Sequence, residues 1–260
     1  MKTFLTITHA TATGDQTLHF GTPETQEEVR SMYQLRYQIY VAQKQYLPAS
    51  YCADGLEMDA SDHANGCSYF IAICGTQVVG TVRLIHQRPL PIETHWRYEQ
   101  PGDLRDLRPD ETVEVSRLMV DHSGGGRMPP RLVPLGLIHC ATRFNLARGI
   151  RVSYAIQQER LVRHMEGWCL PVRRLEPAHY TGGEDEPFKQ YFTNTAEPVC
   201  PTYFRSAEVG RFFDRLLEQG RVFTPITAAH YRYRPPSQNV NTPLYAVMEG
   251  KKDHDALSRF

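Results

Sequence analysis

The sequence has no excess of charge of either sign, because its 29 lysine and arginine residues balance its 29 aspartate and glutamate residues. It has no run of basic residues of the kind that binds nucleic acid or a membrane surface. No window approaches the ~20 apolar residues that span a bilayer. The apolar run near the N-terminus is too short and too rich in threonine for a signal peptide. We therefore expect a cytoplasmic protein with no nucleic-acid partner and no stable membrane insertion.

The sequence also lacks cysteines at the spacing of a metal or redox site. Its six cysteines lie far apart, with no C-x-x-C pair. Several have apolar neighbours, so free thiols in a reducing compartment are expected rather than disulfides. Cys140 follows His139 on a predicted helix, where adjacent side chains point apart, and this argues against a cysteine nucleophile.

The apolar pattern predicts a mixed α/β protein. A helix is predicted to begin at Thr22-Pro23-Glu24, with threonine as its cap. Two apolar runs flank Gly75-Thr76 and predict a β-hairpin with a two-residue turn. The predicted order is helix, hairpin, central strand, glycine-rich turn, helix, strand, helix, strand. This order differs from the regular βαβ alternation of a doubly wound fold.

The predicted central strand contains a charged stretch, Glu114-Val115-Ser116-Arg117. Ionised side chains are rarely buried unless they are paired, so Glu114 and Arg117 indicate either a functional site or an internal ion-pair network. On a regular strand these two side chains would face opposite sides of the sheet. They can serve one pocket only if the strand is bulged or splayed.

A glycine-rich turn, Ser123-Gly124-Gly125-Gly126-Arg127, follows this strand and precedes a helix predicted from Arg131 to Arg148. Such a turn exposes backbone amides at the positive end of the helix dipole, which suits a phosphate group. Arginine is frequent throughout this central third of the chain, and such a local excess of positive charge is suited to binding an acidic partner.

Charged residues also occur before the central strand. Arg83 lies inside the second strand of the predicted hairpin, where apolar residues are expected. Glu57, Asp59 and Asp62 lie in the preceding loop, where acidic residues are usually only solvated. Metal binding by Asp59, Asp62 and His63 is an alternative, but no second ligand cluster supports it, so no metal is predicted.

These residues together resemble the signature of acyl-homoserine-lactone synthases and of their relatives, the N-acyl amino acid synthases. The relatives include the acyltransferases associated with exosortase (PEP-CTERM) systems. The resemblance covers roughly residues 30 to 180. It is carried by Arg36, Tyr40, Tyr46, Glu57-Met58-Asp59-Ala60-Ser61-Asp62, Gly80-Thr81-Val82-Arg83-Leu84 and Glu114-Val115-Ser116-Arg117.

The resemblance implies the GNAT-like (acyl-CoA N-acyltransferase) fold, in which a mixed, mostly antiparallel sheet with flanking helices has a splayed central strand. The splayed strand would hold an acyl thioester. The implied catalytic residues are Glu114, Ser116 and Arg117. The implied substrate-binding residues are Arg36, Tyr40, Tyr46, Asp59, Asp62 and Arg83.

The chemistry follows from the substrates. An amino acid arrives as an ammonium, which must lose a proton before it attacks a thioester, and a buried carboxylate with a raised pKa is suited to accept that proton. We assign this role to Glu114. The carboxylate of the amino acid needs a cationic fork, which Arg36, Arg83 or Arg117 would supply. Backbone amides at a bulge after Arg117 would stabilise the oxyanion.

The chain departs from the lactone synthases in two places that bear on function. Tyr46 stands where those enzymes usually have tryptophan. The glycine-rich turn, followed by Pro129-Pro130, only partly resembles the loop that cradles the coenzyme A pyrophosphate. A phosphopantetheine arm on acyl carrier protein needs a smaller cradle, so we expect acyl carrier protein as donor and partner, with acyl-CoA possible and no tightly bound cofactor. The expected contacts with the arm and its carrier are Gly124, Gly125, Gly126, Arg127 and Arg131.

We divide the chain into an N-terminal arm over residues 1–22, an acyltransferase core over 23–180 and a C-terminal extension over 181–260. The arm is expected to be loose or to form a peripheral strand. The extension carries too many aromatic and aliphatic residues to leave in water, so we expect it to pack on the core. A more specific hypothesis makes it a lid over a long acyl chain.

The sequence thus predicts an N-acyltransferase that joins a fatty acyl chain to the amine of an amino acid. The first alternative is an acyl-homoserine-lactone synthase that uses S-adenosylmethionine, which Tyr46 and the long extension disfavour. The second is a non-catalytic sensor that binds an acyl chain or acyl carrier protein. A third hypothesis concerns only Arg36, Asp59, Arg83 and Glu114, which would form a structural ion network that ties the first helix and its loop to the sheet.

Overall fold

The computed structural model describes residues 1–11, 14–64, 66–121, 131–183, 187–218 and 231–233. The strands are β1 (Lys2–Thr11), β2 (Gly14–Thr22), β3 (Cys67–Cys74), β4 (Gln77–Ile85), β5 (Trp96–Tyr98), β6 (Thr112–Val120), β7 (Val152–Gln158), β8 (Arg173–Arg174), β9 (Ala178–Tyr180), β10 (Val199–Arg205) and β11 (Tyr231–Tyr233). The helices are α1 (Gln26–Tyr37), α2 (Ala60–His63), α3 (Pro91–His95), α4 (Leu132–Ala147), α5 (Glu159–Gly167), α6 (Lys189–Phe192) and α7 (Ser206–Glu218).

Nine of the strands form one sheet, in the order β11, β1, β2, β3, β4, β6, β7, β10, β8. The pair β6 and β7 is parallel, whereas the other pairs in the described sheet are antiparallel. The hairpin of β3 and β4 turns at Gly75-Thr76, as predicted. This mixed α/β architecture with a mostly antiparallel sheet confirms the predicted fold class.

The central strand β6 is bulged at Arg117. Its register against β4 shifts by one residue between Thr81 and Arg83, so Arg117 and Leu118 together face a single residue of β4. Arg117 has a φ of 53°, in the left-handed region that a non-glycine residue adopts at a cost of roughly 1–2 kcal/mol. Such strain is typical of functional sites.

The sheet opens next to this bulge. Strands β6 and β7 pair from Thr112 opposite Val152 to Val115 opposite Ala155, and no pairing follows in the described register. Both strands continue beyond this point, to Val120 and Gln158. The resulting V between them is the splayed central strand that the resemblance implied.

Helix α4 covers one face of the sheet beside the V. Its apolar residues pack in the main core with β1 to β4. The approach is close, because a Cβ added at Gly136 would lie 2.4 Å from the ring of Phe20, and one at Gly80 would lie 2.5 Å from Val133. Glycine at these two positions lets the helix lie against the sheet.

The first helix begins three residues later than predicted, with Thr25 rather than Thr22 as its cap. The hydroxyl of Thr25 accepts the N–H of Glu28 at 3.2 Å, and the Glu28 carboxylate accepts the N–H of Thr25 at 3.2 Å. This reciprocal capping box is stronger than the single-residue signal at Thr22. A π-helical segment, Gln38–Gln43, continues the helix and carries Tyr40.

The N-terminal segment and the described part of the C-terminal extension both pack against the rest of the chain. Residues 1–22 include two paired strands of the sheet, β1 and β2, which bury Leu5, Ile7 and Phe20. After residue 180, β10 pairs with β7, and α7 packs on α4. None of the helices in the described ranges is long and apolar enough to cross a membrane.

Candidate active site

Two cavities meet at the V. The apolar cavity, with a volume of about 740 Å³, lies between β6, β7, α4 and α5. The charged cavity, of about 410 Å³, is lined by carboxylates and arginines and by aromatic residues of the C-terminal extension. The lining residues common to both are Tyr40, Val115, Ser116, Arg117, Ile156 and Tyr191. A thioester in one cavity and a nucleophile in the other would meet at this shared wall.

Six side chains form an ion cluster that is buried except for the partly exposed Asp59: Arg36, Arg83, Arg117, Glu57, Asp59 and Asp62. Arg36 donates from both Nη atoms to Asp62, at 3.0 and 2.8 Å, and from Nε to Glu57 at 2.5 Å. Arg83 donates to both oxygens of Asp59, at 2.7 and 2.8 Å. Arg117 donates to Glu57 at 2.8 to 3.2 Å and to Asp59 at 2.7 Å. Three cations therefore balance three anions.

The pairing keeps the carboxylates of the cluster ionised. Burial alone would raise the pKa of Glu57, but the guanidinium groups of Arg117 and Arg36 outweigh it and lower that pKa to about 2. The same opposition between burial and the charges of Arg36 and Arg83 holds the pKa of Asp62 far below its ordinary value. These side chains also link α1 and the loop around α2 to strands β4 and β6. Of the four residues in the ion-network hypothesis, Arg36, Asp59 and Arg83 belong to this cluster, whereas Glu114 has no salt bridge among the described residues.

Glu114 is buried next to this cluster but forms no salt bridge among the described residues. Its Oε2 accepts the N–H of Ile92, at the start of α3, at 2.7 Å. Burial raises the pKa of Glu114 to about 7, against the lowering effect of that hydrogen bond and of the charges of Arg83 and Arg117. A carboxylate with this pKa can accept and release a proton near neutral pH.

Arg117 is the arginine of the cluster best placed to bind a further anion. Every guanidinium nitrogen of Arg36 and Arg83 already donates at least one hydrogen bond, those of Arg83 to Asp59 and the hydroxyl of Ser116, and Nη1 of Arg83 also lies 2.9 Å from Asp62. Arg117 uses Nε and Nη2, and its Nη1 donates to no residue that the structure describes. The bulge places Arg117 with Glu114 in the lining of the charged cavity.

Aromatic side chains cover this arginine. Its Cζ lies 4.4 Å from the ring centre of Phe188 and 5.1 Å from that of Tyr40. Tyr191 stacks on Tyr40 with ring centres 6.4 Å apart. Phe188 and Tyr191 both follow residue 180, so the start of the C-terminal extension forms one wall of the charged cavity.

Tyr46 stands apart from the ion cluster, in the lining of the apolar cavity. Its ring lies 5.6 Å from Tyr40, and its hydroxyl donates to Glu197 at 2.6 Å and accepts from Gln158. The predicted aromatic pair is therefore in contact, but its second member faces the other cavity.

The remaining predicted residues divide into two groups. Arg131 is at the N-terminus of α4 and lines the apolar cavity. Gly124, Gly125, Gly126 and Arg127 lie outside the described residues, so their predicted contact with the phosphopantetheine arm stays a prediction.

Two features of the site were not predicted. Glu57 is fully buried and joins Arg36 to Arg117, although it lies in a loop, where acidic residues are usually solvated. Its apolar neighbours, Leu56 and Met58, were the only signal of this burial. The contact of Phe188 with Arg117 had no signal, because 70 residues of chain separate the two.

The alternatives for cysteine and metal chemistry gain no support. All six cysteines are free thiols. Burial raises the pKa of the Cys140 thiol well above its ordinary value, and burial lowers the pKa of His139 to about 3. Asp59 and Asp62, considered as metal ligands, are instead bonded to guanidinium groups.

The profile of the family described as N-acyl amino acid synthase FeeM matches residues 31–164, just over half of the 260 residues. No curated protein sequence matches the chain.

Solved structures share the fold at low sequence identity. The acyl-homoserine-lactone synthase LasI has a TM-score of 0.51 at 16% identity, over 74% of this chain and 90% of that one. The CoA-dependent acyl-homoserine lactone synthase BjaI, solved with SAM and isopentyl-CoA, has a TM-score of 0.50 at 20% identity, over 85% and 92% of the two chains. A third synthase of this kind, MesI, has a TM-score of 0.51 at 19% identity, over 77% and 95%.

Proposed function

The chain belongs to the N-acyl amino acid synthase FeeM family and is an N-acyltransferase, and from this premise we propose that it joins a fatty acyl chain to the amine of an amino acid. Acyl carrier protein is the proposed donor. The observation that carries the proposal is the position of Glu114, a buried carboxylate without a salt bridge among the described residues, beside Arg117 where the two cavities meet.

The apolar cavity suits the acyl thioester. Its interior is lined by aliphatic and aromatic side chains of α4, α5, β10 and α7, and its exposed rim includes Lys44 and Arg160. Arg131 and the N-terminal end of α4 offer a positive charge and a positive dipole to a phosphodiester. The arm of acyl carrier protein presents a single phosphodiester. This match, together with the glycine-rich turn, favours acyl carrier protein over coenzyme A as the donor.

The charged cavity suits the amino acid. Nη1 of Arg117 is available to its carboxylate, and Glu114 accepts a proton from its ammonium group, directly or through a water molecule. The free amine then attacks the thioester carbonyl across the shared wall, so that the N–C bond forms and the C–S bond breaks. Backbone amides at the bulge after Arg117 stabilise the oxyanion. As the amide forms, the attacking nitrogen loses a second proton, and the departing thiolate takes it up.

The reaction is tested by incubating the purified chain with long-chain acyl carrier protein, all amino acids and S-adenosylmethionine, followed by mass spectrometry of the lipid extract. A parallel incubation replaces the carrier by acyl-CoA. The expected product is an N-acyl amino acid, formed faster from the carrier. An acyl-homoserine lactone would establish the lactone synthase instead, and carrier binding without any product would establish the sensor.

The pH dependence of turnover follows from the pKa of Glu114. Because this pKa is about 7, kcat/KM for the amino acid should rise about tenfold per pH unit below about 7 and level off above it. The measurement is a pH profile of initial rates with the acyl donor at saturation. A profile that is flat from about pH 5 to about pH 8 would contradict a role for Glu114 as the base.

Arg117→Lys should impair binding of the amino acid more than binding of the donor. Lysine keeps the positive charge but loses the planar guanidinium that serves the cluster and the substrate together. We expect KM for the amino acid to rise roughly tenfold to a hundredfold, as for the loss of a charge-assisted hydrogen bond. KM for the donor should change little.

The matched control is Arg163→Lys, because Arg163 is exposed and lies in neither cavity lining. Steady-state kinetics with each substrate varied in turn separates the two constants. Equal increases in both KM values for Arg117→Lys would point to a general distortion of the site rather than to recognition of the carboxylate.

A further inference from the structure

Two buried amide side chains line the apolar cavity, and each has an oxygen that no described residue pairs with. Asn145, on α4, is 2% exposed, and Gln157, on β7, is 7% exposed. Neither Oδ1 of Asn145 nor Oε1 of Gln157 accepts a hydrogen bond within the described part of the chain. An unpaired buried acceptor is costly, so a ligand that donates a hydrogen bond would relieve the cost.

The nitrogen of each amide is already engaged. Nδ2 of Asn145 donates to the hydroxyl of Ser153 at 2.9 Å. Nε2 of Gln157 donates to Oγ1 of Thr202 at 2.8 Å, and that hydroxyl donates in turn to the carbonyl of Ala155 at 3.2 Å. Both side chains are thus held in place with an acceptor still to be satisfied.

The two amides lie at different depths. The exposed lining residues Lys44, Arg160 and His164 mark the mouth of the cavity, where the thioester arm would enter. Gln157 lies on the part of β7 beyond the last pairing with β6, so it is on the open side of the V. Asn145 is bonded to Ser153, which is opposite Val113 in the paired part of the strands, so it is at the closed and fully buried end.

The closed end of the apolar cavity carries polar side chains, with which an unsubstituted alkyl chain cannot form hydrogen bonds. Thr142 precedes Asn145 by three residues on α4, on the same helix face, and both line the cavity together with Ser153. A saturated chain that reached this end would leave the Asn145 oxygen buried and unpaired. A chain with a hydroxyl group would pair with it.

We propose that Asn145 and the closed end of the apolar cavity form a subsite for a hydroxyl group on the acyl chain, so that the enzyme selects hydroxylated acyl donors. The inference rests on the proposed function, because it takes the apolar cavity as the acyl site. It adds the chemical class of the acyl chain, which the fold does not specify.

The test is a competition between two phosphopantetheine thioesters of equal chain length, one unsubstituted and one hydroxylated, the hydroxyl being moved along the chain in a series. The ratio of the two N-acyl products is measured by mass spectrometry. At the best position, wild-type protein should favour the hydroxylated donor roughly tenfold to a hundredfold, the range for a site whose buried polar group is otherwise unpaired. A ratio near one at every position would overturn the proposal.

Asn145→Leu removes the acceptor at nearly constant volume and should bring the ratio close to one by improving use of the unsubstituted donor. Where that variant folds poorly, Asn145→Leu with Ser153→Ala removes both partners of the hydrogen bond and serves in its place. Gln157→Leu is the matched control, because it removes the other unpaired amide near the mouth and should affect both donors equally. A ratio that changed in Gln157→Leu and not in Asn145→Leu would also overturn the proposal.

Binding of the two free fatty acids, measured by calorimetry, separates this inference from the proposed function. Tighter binding of the hydroxylated acid to wild-type protein, lost in Asn145→Leu, supports the subsite even without turnover. Equal binding of both acids, together with product formation, contradicts the subsite and leaves the proposed function standing. Binding of neither acid, with no product, contradicts the assignment of the apolar cavity to the acyl chain and the subsite with it.

Discussion

Replacing Glu114 by glutamine should lower kcat by at least roughly a hundredfold and leave the protein folded. General-base catalysis typically contributes about 10²- to 10⁴-fold, and glutamine keeps the shape of the side chain but does not accept a proton at neutral pH. Its amide oxygen can still accept the N–H of Ile92, so the link between β6 and α3 persists. The measurement is single-turnover kinetics with acyl carrier protein and the amino acid identified in the product assay.

The stability of Glu114→Gln as a function of pH shows whether its loss of activity comes from a loss of structure. The folded state raises the pKa of Glu114 from 4.5 to about 7, which corresponds to roughly 3 kcal/mol. A group whose pKa is raised by folding contributes stability below its unfolded pKa and loses it as the pH rises through the folded value. Glu114→Gln should therefore gain stability relative to wild type between about pH 5 and about pH 8.

Urea unfolding at several pH values measures this difference. A variant that is inactive and more stable at about pH 8 fits a carboxylate retained for chemistry at a cost in stability. A variant that unfolds at every pH would assign Glu114 a structural role instead. Unchanged turnover would remove Glu114 from the mechanism.

The fold and the site differ in how far the sequence predicts them. Runs of apolar, strand-forming residues and the turns beside them predicted the hairpin at Gly75-Thr76 and the central strand to within a few residues. These elements are predictable because they depend on residues that are close together in the sequence. The bulge at Arg117 has no local signal. Strict alternation would separate Glu114 from Arg117, and only the resemblance to known synthases indicated a splayed strand.

Contacts between distant segments were the least predictable part of the site. Glu57 was taken for one of several loop acids, since nothing near it in the chain shows that two arginines, 21 residues before it and 60 after it, converge on its carboxylate. The aromatic wall from the C-terminal extension depends on the path of a segment beyond the core. Burial of such groups is a property of the assembled sheet and not of any window of sequence.

The second large effect is expected from replacing Arg36, and we expect this change to lower the stability of the fold. Arg36→Met should lower the free energy of unfolding by roughly 3 to 5 kcal/mol, the usual cost of removing one partner from a buried ion pair. Arg36 is fully buried and is bonded to Glu57 and Asp62, which are themselves buried. Methionine fills much of the space but leaves both carboxylates with one cation fewer.

A double variant separates charge balance from packing. Arg36→Met with Glu57→Gln removes one cation and one anion, and the glutamine oxygen can still accept from Arg117. The cost of this double variant should therefore be smaller than the sum of the two single costs, by at least about 1 kcal/mol. Urea unfolding at neutral pH provides all three values. Additive losses would indicate that the two side chains contribute through separate contacts.

The pH dependence adds a further check on Arg36. Folding lowers the pKa of Glu57 to about 2, so the stability that this carboxylate contributes is present above its ordinary pKa of 4.5 and is lost as the pH falls through about 2. Without Arg36 the pKa of Glu57 should rise, and acid unfolding should begin at a higher pH than in wild type. If Arg36→Met instead kept the acid stability of wild type but lost binding of the amino acid, Arg36 would belong with Arg117 among the groups that contact the substrate. The ion cluster would then be a binding site throughout, rather than a buried support for the two residues, Glu114 and Arg117, that the chemistry uses.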